Sequence, residues 1–346
     1  MTLRRLTVLV AACAAASCTD MHPGSSRMPS GFVVRSIEIP EAPPEGVSLD
    51  YLAYDRAQHR VWVPAGNTGC VDVVNVGDDQ IERIAGFPTA NIERGGVTRV
   101  IGPSSAAVGE GVVYVGNRAA SSVCAVDARS LRLGACVTLA APPDGLAYVR
   151  ATREVWVTTP RDHSIAVVAV DSGALRVSGT IPLDGQPEGF AVDDGRGVFY
   201  TNLEDRNQTI MIDVKTRAVS ATWVPGCGDD GPRGLALDAH LDFLMVACTD
   251  RVQVLDAGHD GRRLSGLDTG GGLDNLDYVA SRGELYAAAA RAATLTIAHL
   301  DAQGSLAPRA VVATAPGARN AVATDDGRAY LADGSEGKLL VVQPSP

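Results

Sequence analysis

The chain has 346 residues, 46% of them hydrophobic and 20% charged, which excludes wholesale disorder and is enough for one large globular domain. A formal net charge of −10 and a pI near 5.1 argue against general nucleic-acid binding, which needs clustered Lys and Arg. Thirty-seven Gly and nineteen Pro predict a chain of many turns.

The first residues read as an export signal rather than as fold. Arg4 and Arg5 precede the apolar run Leu6 to Ala16, too short to span a bilayer as a helix. Ala15-Ala16-Ser17-Cys18 resembles the lipobox of bacterial lipoproteins, with Ala at its first position in place of the usual Leu. The resemblance implies cleavage before Cys18, a lipid on its thiol, and a cell-envelope protein held at the membrane by that anchor alone, facing the periplasm. Val10-Ala11-Ala12-Cys13 fits the pattern with a shorter apolar run. Ordinary cleavage after Ala14-Ala15-Ala16 would instead yield a soluble exported protein. Residues 1–18 are thus assigned to the signal, 19–31 to a Pro-, Gly- and Ser-containing tether, and 32–346 to a single domain.

Within that domain one short phrase recurs. Gln186-Pro187-Glu188-Gly189-Phe190-Ala191-Val192-Asp193 is its fullest form, and Pro143-Asp144-Gly145-Leu146 and Pro232-Arg233-Gly234-Leu235 are close copies. Looser copies begin at Leu49-Asp50, Pro103-Ser104, Leu273-Asp274-Asn275 and Ala318-Arg319-Asn320. The corresponding residues of these seven copies, at 50, 104, 144, 188, 233, 274 and 319, lie 40 to 54 residues apart. Such a period signals repeat architecture. After each phrase comes a short strand, then a turn. A second strand follows, rich in aromatic and β-branched residues, such as Arg60-Val61-Trp62-Val63 or Glu154-Val155-Trp156-Val157. A polar loop, a third strand such as Ile210-Met211-Ile212-Asp213, and a fourth complete the unit.

Four strands in each of seven units predict an all-β, seven-bladed β-propeller of antiparallel blades. The last unit stops after Lys338 to Val342 and lacks an outer strand, while Phe32 to Ile39 has no unit of its own; pairing the two closes the ring and removes a sheet edge. Small residues, Ala53, Ala106, Ala107, Ala147, Ala191 and Ala236, are expected to crowd the axis, with Gly145, Gly189 and Gly234 permitting special backbone angles or close approach. The longest interval holds an insertion, 91–101, a candidate functional loop. Cys124 and Cys136 flank a turn centred on Ser130 and should face each other, as cross-strand neighbours do at about 4.5–5.5 Å between Cβ atoms. Cys227 and Cys248 are placed to share a face, which leaves Cys70 buried and inert; no CxxC pair points to zinc.

Val113-Tyr114-Val115-Gly116-Asn117 and Phe199-Tyr200-Thr201-Asn202 look like the signature of YVTN-type propeller repeats, and Ser121 to Asp127 is similar to its usual continuation. The likeness spans about 32–343 and implies a fold more than an activity. More loosely, the recurring phrase resembles those of the gluconolactonase/SMP-30 and virginiamycin B lyase groups. That likeness implies a divalent metal, Ca or Mg, at the axis, with Glu188, Asp274 and Asn275 as the matching ligands.

In this architecture Asp50, Ser104, Asp144, Glu188, Arg233, Asp274 and Arg319 ring the channel mouth, with Asn275 and Asn320 one step inward. Carboxylates and amides in such a ring suit a hard cation. The alternative is an ion-pair network, Arg233 with Glu188 and Arg319 with Asp274. His163, beside Asp162, is the candidate general base; a solvated loop histidine is the plainer reading. Glu204-Asp205-Arg206-Asn207 reads as a solvated loop, and Cys227-Gly228-Asp229-Asp230 as a rigid turn or calcium loop. No nucleophile elbow, Walker loop, dinucleotide fingerprint or His-Glu-x-x-His is present. Two functions are open: a monomeric binding or scaffold module for a protein, glycan or small-molecule ligand, or a metal-dependent lactonase or lyase.

Overall fold

The computed structural model describes residues 31–345. The signal, the Cys18 anchor and nearly all of the tether lie outside these residues. The chain is a seven-bladed β-propeller: seven four-stranded sheets follow one another around an axis. Blades 1 to 6 occupy 53–84, 103–138, 146–182, 187–223, 235–268 and 273–313. Blade 7 takes three strands from 319–344 and its outer strand from Phe32–Glu38, which pairs antiparallel with Lys338–Pro344 from Phe32↔Pro344 to Glu38↔Lys338. The first and last strands among the described residues therefore share a sheet, as the missing strand of the last repeat predicts.

Both faces of each blade are covered by neighbouring blades, which explains why the strands do not alternate cleanly between apolar and polar residues. The second strands carry the largest buried side chains, Trp62, Tyr114, Trp156, Tyr200, Tyr286 and Tyr330. Trp62 packs with Val113 and Val115 of blade 2, and Trp156 lies 5.0 Å from Phe199 of blade 4. The closure seam is as well packed as the others. Ile37, Tyr330, Leu339 and Val341 of blade 7 join Val61 and Val63 of blade 1 in one cluster. Each fully buried Val or Leu stabilises the fold by about 1.5–3 kcal/mol. Turns are capped by strand-ending aspartates: Asp55, Asp127, Asp193 and Asp238 each accept hydrogen bonds from backbone N–H groups two or three residues on.

Both expected disulfides are present. Cys124 and Cys136 are direct cross-strand partners in blade 2, and Cys227 ties the approach to blade 5 to Cys248 beyond its second strand. Cys70 is buried and free. The insertion is a β-hairpin, Ala90–Arg94 with Val97–Ile101, forming a two-stranded sheet of its own.

Of the small residues expected to crowd the axis, Ala53 and Ala106 line it, and the others do not. Ala107, Ala147 and Ala236 belong to apolar clusters between blades, because side chains of an inner strand alternate toward its two neighbours. The glycines make the close approach instead, and none of Gly145, Gly189 and Gly234 has positive φ. A Cβ on Gly189 would overlap Gly234 Cα and the Arg233 carbonyl; one on Gly234 would overlap Asn275; one on Gly145 would strike the Phe190 ring. Because backbone has no free rotamer to yield, Gly189→Ala is expected to destabilise the protein by about 1–3 kcal/mol, read as a lowered unfolding midpoint in urea.

Candidate functional site

Each recurring phrase contributes three successive residues to three layers of the axis. The first residue of the three stands on the mouth rim, the second sits where neighbouring blades touch, and the third faces an axial cavity. Glu188-Gly189-Phe190 shows the pattern with glycine at the contact. Asp50-Tyr51-Leu52 breaks it, since a tyrosine occupies the contact position of blade 1. Its backbone bonds blade 2, N–H to the Ser104 carbonyl at 3.1 Å and carbonyl to the Ala106 N–H at 3.2 Å. Its side chain crosses the axis to blade 4. The ring lies 6.0 Å from that of Phe190, and the hydroxyl donates to Glu188 Oε1 at 3.3 Å. Tyr51 thus covers the channel just beneath the rim.

The rim above it holds five carboxylates and three guanidinium groups. Arg118, from the loop after the second strand of blade 2, donates to Asp50 Oδ2 at 2.7 Å and also pairs with Asp144. Arg319 pairs with Asp274 at 2.7 Å, as expected. The expected pair of Arg233 with Glu188 is not formed: Arg233 pairs with Glu204 instead, and also donates to the Asp230 carbonyl at 3.2 Å. Glu204 therefore belongs to the rim and is not a solvated loop residue. Asn320, with φ of 54°, donates to Asp50 Oδ1 at 3.0 Å and joins blade 7 to blade 1. The Asn202 amide donates to the Arg233 carbonyl at 2.5 Å and fixes the start of blade 5.

Glu188 has no cation partner among the described residues. Burial, and then the nearby charges of Asp144, Asp274, Glu204 and Asp50, push its carboxyl well above the ordinary range. Burial pushes Asp144 up to about 6 against the pull of Arg118, and its Oδ2 is buried without a donor. Burial raises Asp274 as well, opposed by Arg319. Burial opposes the charge on Arg118, but Asp50 and Asp144 outweigh it. Burial and then the Glu188 charge drive the Tyr51 hydroxyl well up, so it remains a donor.

Glu188, Asp274 and Asn275 do not fit a divalent cation as arranged. Asp274 faces Arg319, and Asn275 Oδ1 already accepts the Leu276 N–H at 2.9 Å. Among the described residues no group of three or more His, Cys, Asp and Glu is arranged to hold a metal. His163 is exposed, ends a short 3-10 turn with φ of 46°, and makes no side-chain hydrogen bond among the described residues; Asp162 accepts instead from Ser164 Oγ at 3.3 Å. The Asp229-Asp230 turn is tied by its disulfide and by Thr249 Oγ1 donating to Asp230 at 3.4 Å.

Beneath Tyr51 lies an axial cavity of about 230 Å³. Every blade contributes one wall residue from the third layer: Leu52, Ala106, Leu146, Phe190, Leu235, Leu276 and Ala321. None of the rim ion pairs lines it. At the far end it is bordered by Tyr54, Asp277, Val322 and Arg56, whose half-exposed side chain marks the opening on the face opposite the rim.

No protein-family model matches the chain, and no curated protein matches it. Solved structures do. Virginiamycin B lyase from Staphylococcus aureus is similar with a TM-score of 0.69 at 11% identity, over 90% of this chain and 99% of that one. A chain of Kuenenia stuttgartiensis hydrazine synthase gives 0.71 at 13%, over 89% and 98%. A chain of a mitotic checkpoint complex gives 0.69 at 14%, over 97% and 98%. At these identities the likeness is one of fold alone. It joins a lyase and a synthase to a member of a protein complex and does not choose between them.

The unpaired Glu188 makes stability depend on pH. Its folded-state pKa lies above the unfolded value of 4.5, so its contribution is fully present below that value and is lost as pH rises through the folded one. Glu188→Gln keeps the acceptor for Tyr51 and removes the charge. The variant is expected to match the parent near pH 4 and to be the more stable of the two at pH 8, measured by urea unfolding at both pH values.

Proposed function

We propose that this propeller is a binding module that engages a protein partner through its rim face. The hairpin 90–101 carries this reading. It is inserted between the outer strand of blade 1 and the start of blade 2, on the rim side, where Gly102 packs under the Gly66 carbonyl. Its two strands pair only with each other, and Val97 near its tip is 55% exposed. A two-stranded hairpin is at best marginally stable by itself, and an unpaired strand edge is a template for a partner's strand. The paired rim beside it supplies polar groups of both signs, which favour specificity over bulk attraction.

Export and anchoring belong to the same reading. The two disulfides point to folding in an oxidising compartment. The Ala15 to Cys18 motif supports a lipid anchor, with residues 19–31 as tether. No helix among the described residues is long and apolar enough to cross a membrane. Cys18→Ser is expected to move the protein from the membrane pellet to the soluble fraction on cell fractionation; retention in the pellet would remove the anchor from the proposal.

A photo-crosslinking residue at Val97 is expected to give one discrete protein adduct in producing cells, and the same residue at Val311, 57% exposed on an outer strand, none. No adduct from either site, or equal adducts from both, would count against the rim face. The competing reading, a metal-dependent lactonase or lyase, requires Arg319 to release Asp274. It predicts a rise in melting temperature with Ca or Mg that Glu188→Ala abolishes.

A further inference from the structure

The axial cavity is a second feature of the molecule, separated from the rim by Tyr51. Seven apolar side chains ring it, polar groups of Tyr51, Tyr54, Arg56 and Asn275 also line it, and one carboxylate faces it. Asp277, from the inner strand of blade 6, lines the cavity near its open end. Its Oδ1 accepts the Tyr278 N–H at 2.8 Å and its Oδ2 accepts the Ala323 N–H at 2.7 Å. These two bonds fix the carboxylate and leave a lone pair on each oxygen. No guanidinium or ammonium lies within ion-pair distance of it among the described residues. Arg56, the cation whose charge reaches it, is engaged by Asp325 at 2.9 Å. Burial raises the Asp277 pKa, the mark of a carboxylate short of a counter-ion.

We propose that this cavity binds a small primary amine, its ammonium on the Asp277 carboxylate and its apolar body within the ring of seven wall residues. The ammonium supplies the missing counter-charge, and a charge-assisted hydrogen bond to a carboxylate out of bulk water is among the stronger polar contacts. The volume is suitable: benzene occupies a cavity of about 150 Å³, so 230 Å³ holds a six-membered ring with an aminomethyl arm. Phe190 and Tyr51 offer aromatic faces at the closed end. Asn275 Nδ2 donates no hydrogen bond among the described residues and is available to an acceptor on a larger amine. An anion is disfavoured, because the Arg56 guanidinium at the opening is already paired and Asp277 would repel it.

The test is calorimetric titration of the full chain with benzylamine, alongside benzyl alcohol and benzoate as neutral and anionic analogues of the same shape. Benzylamine is expected to bind saturably, with both analogues at least about tenfold weaker. Asp277→Asn should weaken benzylamine by at least about tenfold. Ala321→Leu fills the cavity without touching the carboxylate and should weaken it equally. Glu188→Gln, on the far side of Tyr51, should bind as the parent does. Should Asp277→Asn fail to fold, Ala321→Leu decides. Equal binding of benzyl alcohol, undiminished binding by a folded Ala321→Leu or Asp277→Asn variant, or no saturable heat up to about 20 mM would overturn the assignment.

Discussion

Backbone contact at the axis is the constraint from which the rest of this structure follows. Seven sheets share one axis only if their inner strands approach until backbone meets backbone. At Gly189 and Gly234 that contact is met by having no side chain at all. A strand pinned at one residue sends its predecessor outward to the rim and its successor inward to the channel. The three-layer order of rim charge, contact and cavity wall is therefore a property of every repeat and needs no separate design. Departures from the order carry the individuality of the molecule. Tyr51 at a contact position closes the channel, and Asn320 at another, in a left-handed conformation, reaches across the closure seam to Asp50.

Much of this was legible in the residues. The recurring phrase, Pro-x-Gly in three of its seven copies, located every inner strand, and the incomplete last unit identified Phe32 to Glu38 as its partner. The turn at Ser130 placed Cys124 opposite Cys136, since hairpin register follows directly from loop position. The asymmetry of the rim was not legible. Arg118 and Glu204 come from loops after second strands, 26 residues from Asp144 and 29 from Arg233. Nothing in the repeating phrase signals which loop side chains are long enough to reach it. Phe199-Tyr200-Thr201-Asn202 did hold a signal of this kind. Its asparagine bonds the next blade's backbone, so a polar residue ending an otherwise buried strand marks a bond between blades.

The axial glycines and the small residues around them were read as one class, and the structure separates them. Alanines such as Ala147 and Ala236 are small because two blades converge on them from the sides. Glycines such as Gly145 are bare because an aromatic ring or a neighbouring backbone occupies the place of a Cβ. Both appear in sequence as small residues after a polar one, so local pattern alone does not distinguish wedge packing from axial contact. What distinguishes them is the identity of the residue opposite, which lies about 40 residues away in the chain.

The position of Tyr51 also divides the molecule chemically. Above it, carboxylates are matched by Arg118, reaching in from a loop, and by the rim's own Arg233 and Arg319, and only Glu188 is left to a hydroxyl. Below it, seven apolar side chains ring the cavity and a single carboxylate is held by backbone alone. A through-channel would let water and ions connect the two ends and would screen both sets of charges. With an aromatic ring stacked across the axis, each end keeps its own low-dielectric surroundings, which is why burial dominates the pKa of both Glu188 and Asp277. A binding event at the rim and one in the cavity can then be changed independently by mutation, except at Tyr51, which touches both.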